Sequence, residues 1–410
     1  MTTAAHRDVV VTGLGTVNPL GADTASTWQA LLAGTSGIAT LTDEWVEQYA
    51  LPVTFAGRAA VNPAEVLPRP QLRRMDPSSQ FAVIAADEAW RDAGTPEVDG
   101  TRFAAIVASG IGGIHTTLDM WSAMLERGAR GVLPMTVPML MPNSSAAHIS
   151  VRLGAKAGAH APTSACASGA EAIAWGAQMI RQGRADIVIA GGTEAAIHPM
   201  PLAAFARMQA LSTRNNDPQG ASRPYDRTRD GFVMGEGAGI VVLEAREHAE
   251  RRGARVHAVL TGVGMSADAY DVAPPDPTGA GQEAAMRLSL QDAGLDGQAV
   301  AHVNAHATST PVGDMIEAEA IARVAPQAIV CGTKSMTGHL LGGAGALEAI
   351  FSILSTRERL APPTINCENP EENLPIRLSG TSPVELPDGV VLNNAFGFGG
   401  HNVALVFQQA

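Results

Sequence analysis

Short apolar runs bounded by glycine recur along the chain, at residues 9–13, 103–110, 186–192 and 239–243. They are continuous rather than alternating, so they suit strands buried on both faces. Between them lie Ala-, Glu- and Arg-rich stretches with helical spacing, at 78–93, 168–182 and 244–252, followed by Gly94, Gly183 and Gly253. The alternation predicts a layered α/β fold.

The rhythm changes texture near residue 255, then restarts with an apolar run at 256–264 and a helical stretch at 281–293. A chain of 410 residues suits one duplicated fold of about 200 residues per half. The expected division is 1–255 and 256–410, although residue-level self-similarity is faint. Residues 274–278 and 361–370 are Pro-rich and predict loops.

With 46% hydrophobic residues the chain can bury a large core, which excludes a disordered protein. Twenty-eight basic against forty acidic side chains leave a net charge of −12, which disfavours nucleic acid and anionic membranes as partners. Cys166, Cys331 and Cys367 are far apart and show no metal-ligand spacing, so neither a disulfide framework nor a zinc site is expected. That usage, and the lack of an apolar run of about 18 residues, predict a cytoplasmic protein.

Three groups of segments can carry chemistry. In the first, Thr163-Ser164-Ala165-Cys166-Ala167-Ser168-Gly169, the cysteine stands between a strand-like approach and a helix starting near Ser168. Helix N–H groups there would lower its pKa, whereas a lone cysteine among small residues is more often a buried structural thiol. In the second pair, Asn304-Ala305-His306 and Lys334-Ser335-Met336-Thr337-Gly338-His339, each histidine follows a strand-like run. Either is an ordinary core histidine on its own; together with an activated thiol they suit oxyanion binding and proton handling. The third, Asn393-Asn394-Ala395-Phe396-Gly397-Phe398-Gly399-Gly400, suits a plain tight turn or a close backbone approach to a substrate.

Together with Val10-Val11-Thr12-Gly13-Leu14-Gly15, Ser222-Arg223-Pro224-Tyr225-Asp226, Arg229-Asp230-Gly231-Phe232 and Gly235-Glu236-Gly237-Ala238-Gly239, these segments resemble the elongating β-ketoacyl-acyl carrier protein synthases over nearly the whole chain. The synthase II type of bacterial fatty-acid synthesis is the nearest pattern. The resemblance implies a thiolase-like α/β fold, two similar halves in five αβαβα layers, working as a homodimer. It implies an acyltransferase that adds two carbons from malonyl carrier protein to an acyl chain held on Cys166, with acyl carrier protein as partner and no cofactor of its own.

By resemblance, His306 and His339 hold the malonyl carbonyl, and Lys334 supports them with Glu348 as its polar partner. The N–H groups of Cys166 and Phe398 form the oxyanion hole, and Phe398 gates an acyl tunnel lined by Ile111, Phe205 and Phe396. Thr308 and Thr310 bond the pantetheine arm, although loop hydroxyls capping the next helix are an alternative, and Asp314 and Glu317 support the His306 loop. Arg73, Arg74, Arg130 and Arg207 form the carrier-protein docking patch. No metal is required, but Asn304, Glu348, Asn393 and Asn394 match the surroundings of a monovalent cation in some relatives.

Two departures stand out: Ala307 replaces a glycine common in the family, and Gln209 and Gly131 occupy positions that are often basic. The rivals are a polyketide ketosynthase subunit and a noncatalytic chain-length factor, which usually carries glutamine where this chain has Cys166. A thiolase would carry a second cysteine where Phe398 stands.

Overall fold

The computed structural model describes residues 7–410, so residues 1–6 of the expected first half lie outside the described residues. Eleven strands share one sheet: β1 (Val9–Val17), β2 (Phe103–Ala108), β3 (Gly158–His160), β4 (Ile187–Glu194), β5 (Gly237–Ala245), β6 (Ala258–Ala267), β7 (Val300–Asn304), β8 (Ile329–Cys331), β9 (Arg377–Leu378), β10 (Val390–Gly397) and β11 (His401–Gln408). Their spatial order is β9-β8-β7-β10-β11-β6-β1-β5-β4-β2-β3.

Outward from the junction of β1 and β6 the order on one side is β1, β5, β4, β2, β3 and on the other β6, β11, β10, β7, β8. With the two-residue β9 beyond β8 set aside, each side therefore places its strands first, fifth, fourth, second, third. The directions repeat as well, two antiparallel pairings followed by two parallel ones. The junction itself is narrow, with Val10 opposite Val259 and Val11 opposite Ala258.

Five helices complete the layers: α1 (Pro77–Asp92), α2 (Ser168–Arg181), α3 (Ala280–Asp292), α4 (Gly313–Val324) and α5 (Ala344–Glu358). Helix α1 covers β1 and β5 from outside, α3 covers β6 and β11, and α4 packs on α3. Helices α2 and α5 touch each other and strands of both sides, which makes them the middle of five layers. Every residue of α5 from Ala344 to Thr356 is buried, as a helix enclosed on all sides must be. Phe351 lies at its centre with no exposed surface, and its truncation to alanine would cost about 3–5 kcal/mol.

Two local expectations need correction. Strand β1 runs past Gly13 to Val17, because Gly13 and Gly15 are places of close packing and not strand ends. A Cβ at either would lie 2.2 or 2.0 Å from the carbonyl oxygens of Ala89 and Ala85 in α1. The helix expected at 244–252 covers only Arg246–Arg251, since Glu244 and Ala245 pair with Ile187 and Val9 in the sheet. Glu244 is buried there against Arg252, His248 and Thr12, which explains how an acid ends a core strand.

Candidate active site

Cys166 sits in a 3-10 turn, Ala165–Ala167, that leads directly into α2. The turn opens with Ala165 at φ 49°, a left-handed conformation that costs an alanine about 1–2 kcal/mol. A second 3-10 turn, Leu341–Gly343, precedes α5 in the same way, and Leu341 has φ 47°. Gly397 at the end of β10 lies under the first turn: a Cβ there would be 2.3 Å from the Ser164 carbonyl oxygen and 3.1 Å from the Cys166 nitrogen.

His306 follows β7, and His339 follows the short helix Lys334–Thr337 after β8. Their rings meet edge to face with centroids 5.3 Å apart. The Cys166 sulfur and one nitrogen of each ring all lie within 4.8 Å of one another. These three groups close the inner part of a cavity of about 670 Å³, also lined by Ile111, Phe205, Phe396 and Phe398, with Thr308, Thr310, Asp314 and Glu317 on its wall.

Lys334 stands behind the histidines, buried. Its ammonium pairs with Glu348 and donates to the His306 carbonyl oxygen at 2.6 Å. Burial pushes the Glu348 carboxyl up to about 7 against the pull of Lys334. Burial holds both imidazoles well below the usual histidine range, and the Lys334 charge adds to this, so both are neutral near pH 7.

The Cys166 thiol contradicts the expectation of an acidified cysteine. Burial pushes it up to about 12, outweighing Lys334 and the N–H groups of Phe398 and Cys166 that favour the thiolate. The helix-start argument counts only the local dipole, whereas the desolvated surroundings come from both halves of the fold.

The loop 306–311 is braced from two sides. Glu317 accepts the N–H groups of His306 and Ala307 at 2.8 and 2.7 Å, and Asp314 accepts those of Ser309 and Tyr225, both at 3.0 Å. Ala307 is held at φ 27°, the strain that glycine would avoid. The Thr308 and Thr310 hydroxyls bond each other at 3.1 Å, and α4 starts without a side-chain cap, so they do not cap that helix.

Asn304 and Asn393 lie behind the site, bonded to the Glu348 and Gly345 carbonyl oxygens, and Asn394 donates to Glu317. Arg73, Arg74, Arg130 and Arg207 are all exposed. Arg207 precedes Met208 and Gln209, which line the cavity mouth, whereas Arg74 borders a separate groove with His148 and Arg152.

Two supports were not evident beforehand. Glu194, fully enclosed at the end of β4, accepts the Ser109 hydroxyl and the N–H groups of Gly110, Ile111 and Gly342. The segment 222–229 reaches the His306 loop: the Arg223 N–H bonds Ser309, and the Arg229 guanidinium bonds the carbonyl oxygens of Thr310 and Pro311. The Ser-Arg-Pro-Tyr-Asp pattern was visible, but only these distant bonds give it a task.

Residues 6–249 match the family model for the N-terminal domain of beta-ketoacyl synthase, and residues 257–368 match that for its C-terminal domain. The 3-oxoacyl-[acyl-carrier-protein] synthase 2 of Coxiella burnetii is 42% identical over 410 residues, covering 98% of this chain and 99% of the relative. The protein of that name from Vibrio cholerae is 41% identical over 99% of this chain and all of its own. A beta-ketoacyl synthase crystal structure from Burkholderia phymatum superposes with TM-score 0.91 at 34% identity, covering 98% of this chain and all of that one. With these matches added to the five layers and the Cys-His-His grouping, the chain belongs to the beta-ketoacyl synthase family.

Proposed function

We propose that the protein is a 3-oxoacyl-acyl carrier protein synthase that lengthens acyl chains by two carbons in fatty-acid synthesis. The observation that carries the reading is the convergence of Cys166, His306 and His339 at the inner end of one largely apolar cavity. Relatives named 3-oxoacyl-[acyl-carrier-protein] synthase 2 at 41–42% identity support fatty-acid synthesis over a polyketide pathway. Cys166 itself speaks against a noncatalytic partner.

In the first transfer the Cys166 sulfur attacks the acyl thioester. The sulfur–carbonyl bond to the carrier breaks, and the thiol proton leaves with the carrier's sulfur. The N–H groups of Cys166 and Phe398, both close to the sulfur, suit the oxyanion of that step, where losing one donor costs on the order of 3 kcal/mol. In the second, malonyl carrier protein loses CO2, and the resulting enolate attacks the acyl-Cys166 thioester. Cys166 leaves and recovers a proton from solvent, and the product is a 3-oxoacyl thioester two carbons longer.

Neutral His306 and His339 donate to the malonyl carbonyl as it becomes an enolate. Burial preorganises these donors, so they need not reorient as charge develops. Lys334 and Glu348 act through His306, and Asp314 and Glu317 fix the loop that carries it. Ile111, Phe205, Phe396 and Phe398 bound the acyl chain, and Thr308 and Thr310 bond the pantetheine. The atoms balance with no electron carrier, so the carrier-borne pantetheine is the only prosthetic group the reaction needs.

Among the described residues Glu348 Oε2 and Asn394 Oδ1 are buried without hydrogen-bond partners, which fits a monovalent cation held by Asn304, Glu348, Asn393 and Asn394. Such an ion would offset buried negative charge behind the histidines. Exposed Arg73, Arg74, Arg130 and Arg207 supply the steering that an acidic carrier protein needs on a chain of charge −12. A cytoplasmic homodimer completes the reading: β3 is a sheet edge with Ala159 and His160 exposed, and Trp121, Leu125, Val137 and Val151 are exposed apolar residues. Its two pseudo-equivalent halves divide at 255.

The test is elongation of acyl carrier proteins of graded chain length with malonyl carrier protein. Turnover that disappears in Cys166→Ala, with malonyl decarboxylation kept in Cys166→Gln, supports the reading. No turnover with any acyl donor by a folded protein would favour the noncatalytic partner.

A further inference from the structure

Glu194 is fully buried on the cavity wall that also holds Cys166, and neither transfer step uses it. Both of its carboxylate oxygens are occupied. One accepts the Ser109 hydroxyl at 2.7 Å and the Ile111 N–H at 3.3 Å; the other accepts the N–H groups of Gly110 and Gly342 at 2.9 and 3.1 Å. The Ser109 hydroxyl oxygen in turn accepts the Gly112 N–H at 2.8 Å. The whole loop 109–112 after β2 is therefore tied, directly or through Ser109, to one side chain.

Four donors call for an acceptor that carries no proton, and an ionised carboxylate offers that many lone pairs. Burial pushes the Glu194 carboxyl up to about 7 against these bonds, so the ionised form prevails above that pH. An amide in its place would turn an NH2 group toward N–H donors and leave buried groups unpaired. Nor has the loop room to close on the thiol: a Cβ at Gly110 would lie 2.8 Å from a Glu194 oxygen and 3.2 Å from the Ala165 carbonyl oxygen. Ile111, in the middle of this clasp, lines the cavity with Cys166. His306 and His339 stand on separate segments, beyond β7 and β8.

We propose that Glu194 is a positioning residue for the acyl donor: its carboxylate holds Ile111 back against the cavity wall and so keeps the path to Cys166 open to long chains. With the clasp broken, Ile111 is free to lean into the cavity that it lines, which obstructs a long chain more than a short one. The role rests on the proposed acyl transfer to Cys166, but it is readable without turnover.

The experiment labels Cys166 of the full chain at pH 8 with iodoacetamide and, separately, with N-octyl iodoacetamide, mapped by mass spectrometry. The ratio of the two rates cancels any change in thiol reactivity and reports access alone. Glu194→Gln and Ser109→Ala should each lower the long-to-short ratio by more than about fivefold, and kcat/KM for long against short acyl carrier proteins should fall in step. Ser109→Ala keeps three N–H bonds to the carboxylate, so it carries the test if Glu194→Gln does not fold. Because the effect acts through Ile111, adding Ser109→Ala to Ile111→Ala should leave the ratio where Ile111→Ala alone puts it. A merely structural role would change both probes alike; an unchanged ratio, or a Ser109→Ala effect that persists in full without the Ile111 side chain, overturns the proposal. If the probes discriminate as described while every acyl donor fails, the condensation reading falls and the positioning role stands.

Discussion

Lys334 Nζ lies 3.3 Å from Nδ1 of His306. An ammonium group only donates, so Nδ1 is the acceptor and the imidazole carries its hydrogen on Nε2, toward the cavity. The same ammonium bonds the His306 carbonyl oxygen and Glu348, so one lysine sets the tautomer and anchors the loop. A purely structural lysine would do only the second.

Lys334→Ala is therefore expected to lower malonyl decarboxylation by about 10²-fold or more. The Lys334 charge adds to burial in depressing the His306 pKa, and the proposed mechanism uses the neutral ring, present above that pKa. Removing the charge raises the pKa, so the acid limb of the decarboxylation profile moves to higher pH. An unshifted acid limb would refute the positioning role.

The Cys166 thiol, held up to about 12 by burial, carries about 10³-fold less thiolate at pH 8 than a thiol at the ordinary 9.0. The rate of iodoacetamide labelling should therefore rise with pH through 10 without a plateau. A plateau near pH 8–9 would show that the resting thiol is not desolvated in this way.

Gly397→Ala places a methyl group 2.3 Å from the Ser164 carbonyl oxygen, so the turn carrying Cys166 must move. A stability loss of about 1–3 kcal/mol by denaturant titration is expected. Labelling of Cys166 and condensation should both change, while Gly380→Ala, where a Cβ meets nothing within 4 Å, serves as the control. Unchanged labelling kinetics in the Gly397 variant would contradict the close contact.

Glu236 is buried one residue past Gly235, whose N–H bonds the His339 carbonyl oxygen, and burial lifts its carboxyl to about 7 against the opposing Arg58 charge. The folded state thus keeps a proton that the unfolded state has lost between pH 4.5 and 7. Stability of the unaltered chain relative to Glu236→Gln should fall across that window, by at most about 1.4 kcal/mol per pH unit, and level off above it. Parallel stability curves for the two proteins would show that the carboxyl titrates normally.

The chemical residues were legible in sequence only through the family resemblance, because each alone suits an ordinary core or surface residue as well. Glu194 was not, since one acid after a strand looks the same whether it meets water or three backbone N–H groups. The thiol pKa was misjudged for a related reason: the helix start is local, but the desolvation depends on Gly397, His306 and His339 arriving from far along the chain. The matching strand order of the two sides did leave a trace in the sequence. Thr12-Gly13-Leu14-Gly15 and Thr261-Gly262-Val263-Gly264 repeat one pattern, and a Cβ at Gly262 or Gly264 would lie 2.0 Å from a carbonyl oxygen of α3, as at Gly13 and Gly15 against α1. Four residues are too short a match to establish a repeat until the packing shows why both glycines are needed.

The two 3-10 turns that open α2 and α5 put Cys166 and Gly342 in corresponding places, each one residue after a left-handed Ala165 or Leu341. At Gly342 any side chain is barred, because a Cβ would be 2.2 Å from the Gly110 nitrogen and 2.8 Å from a Glu194 oxygen. A doubled scaffold would otherwise offer two seats for a nucleophile. Here the second seat is filled by the backbone that shapes the first, so the two sides share an architecture while only one of the two turns presents a nucleophilic side chain.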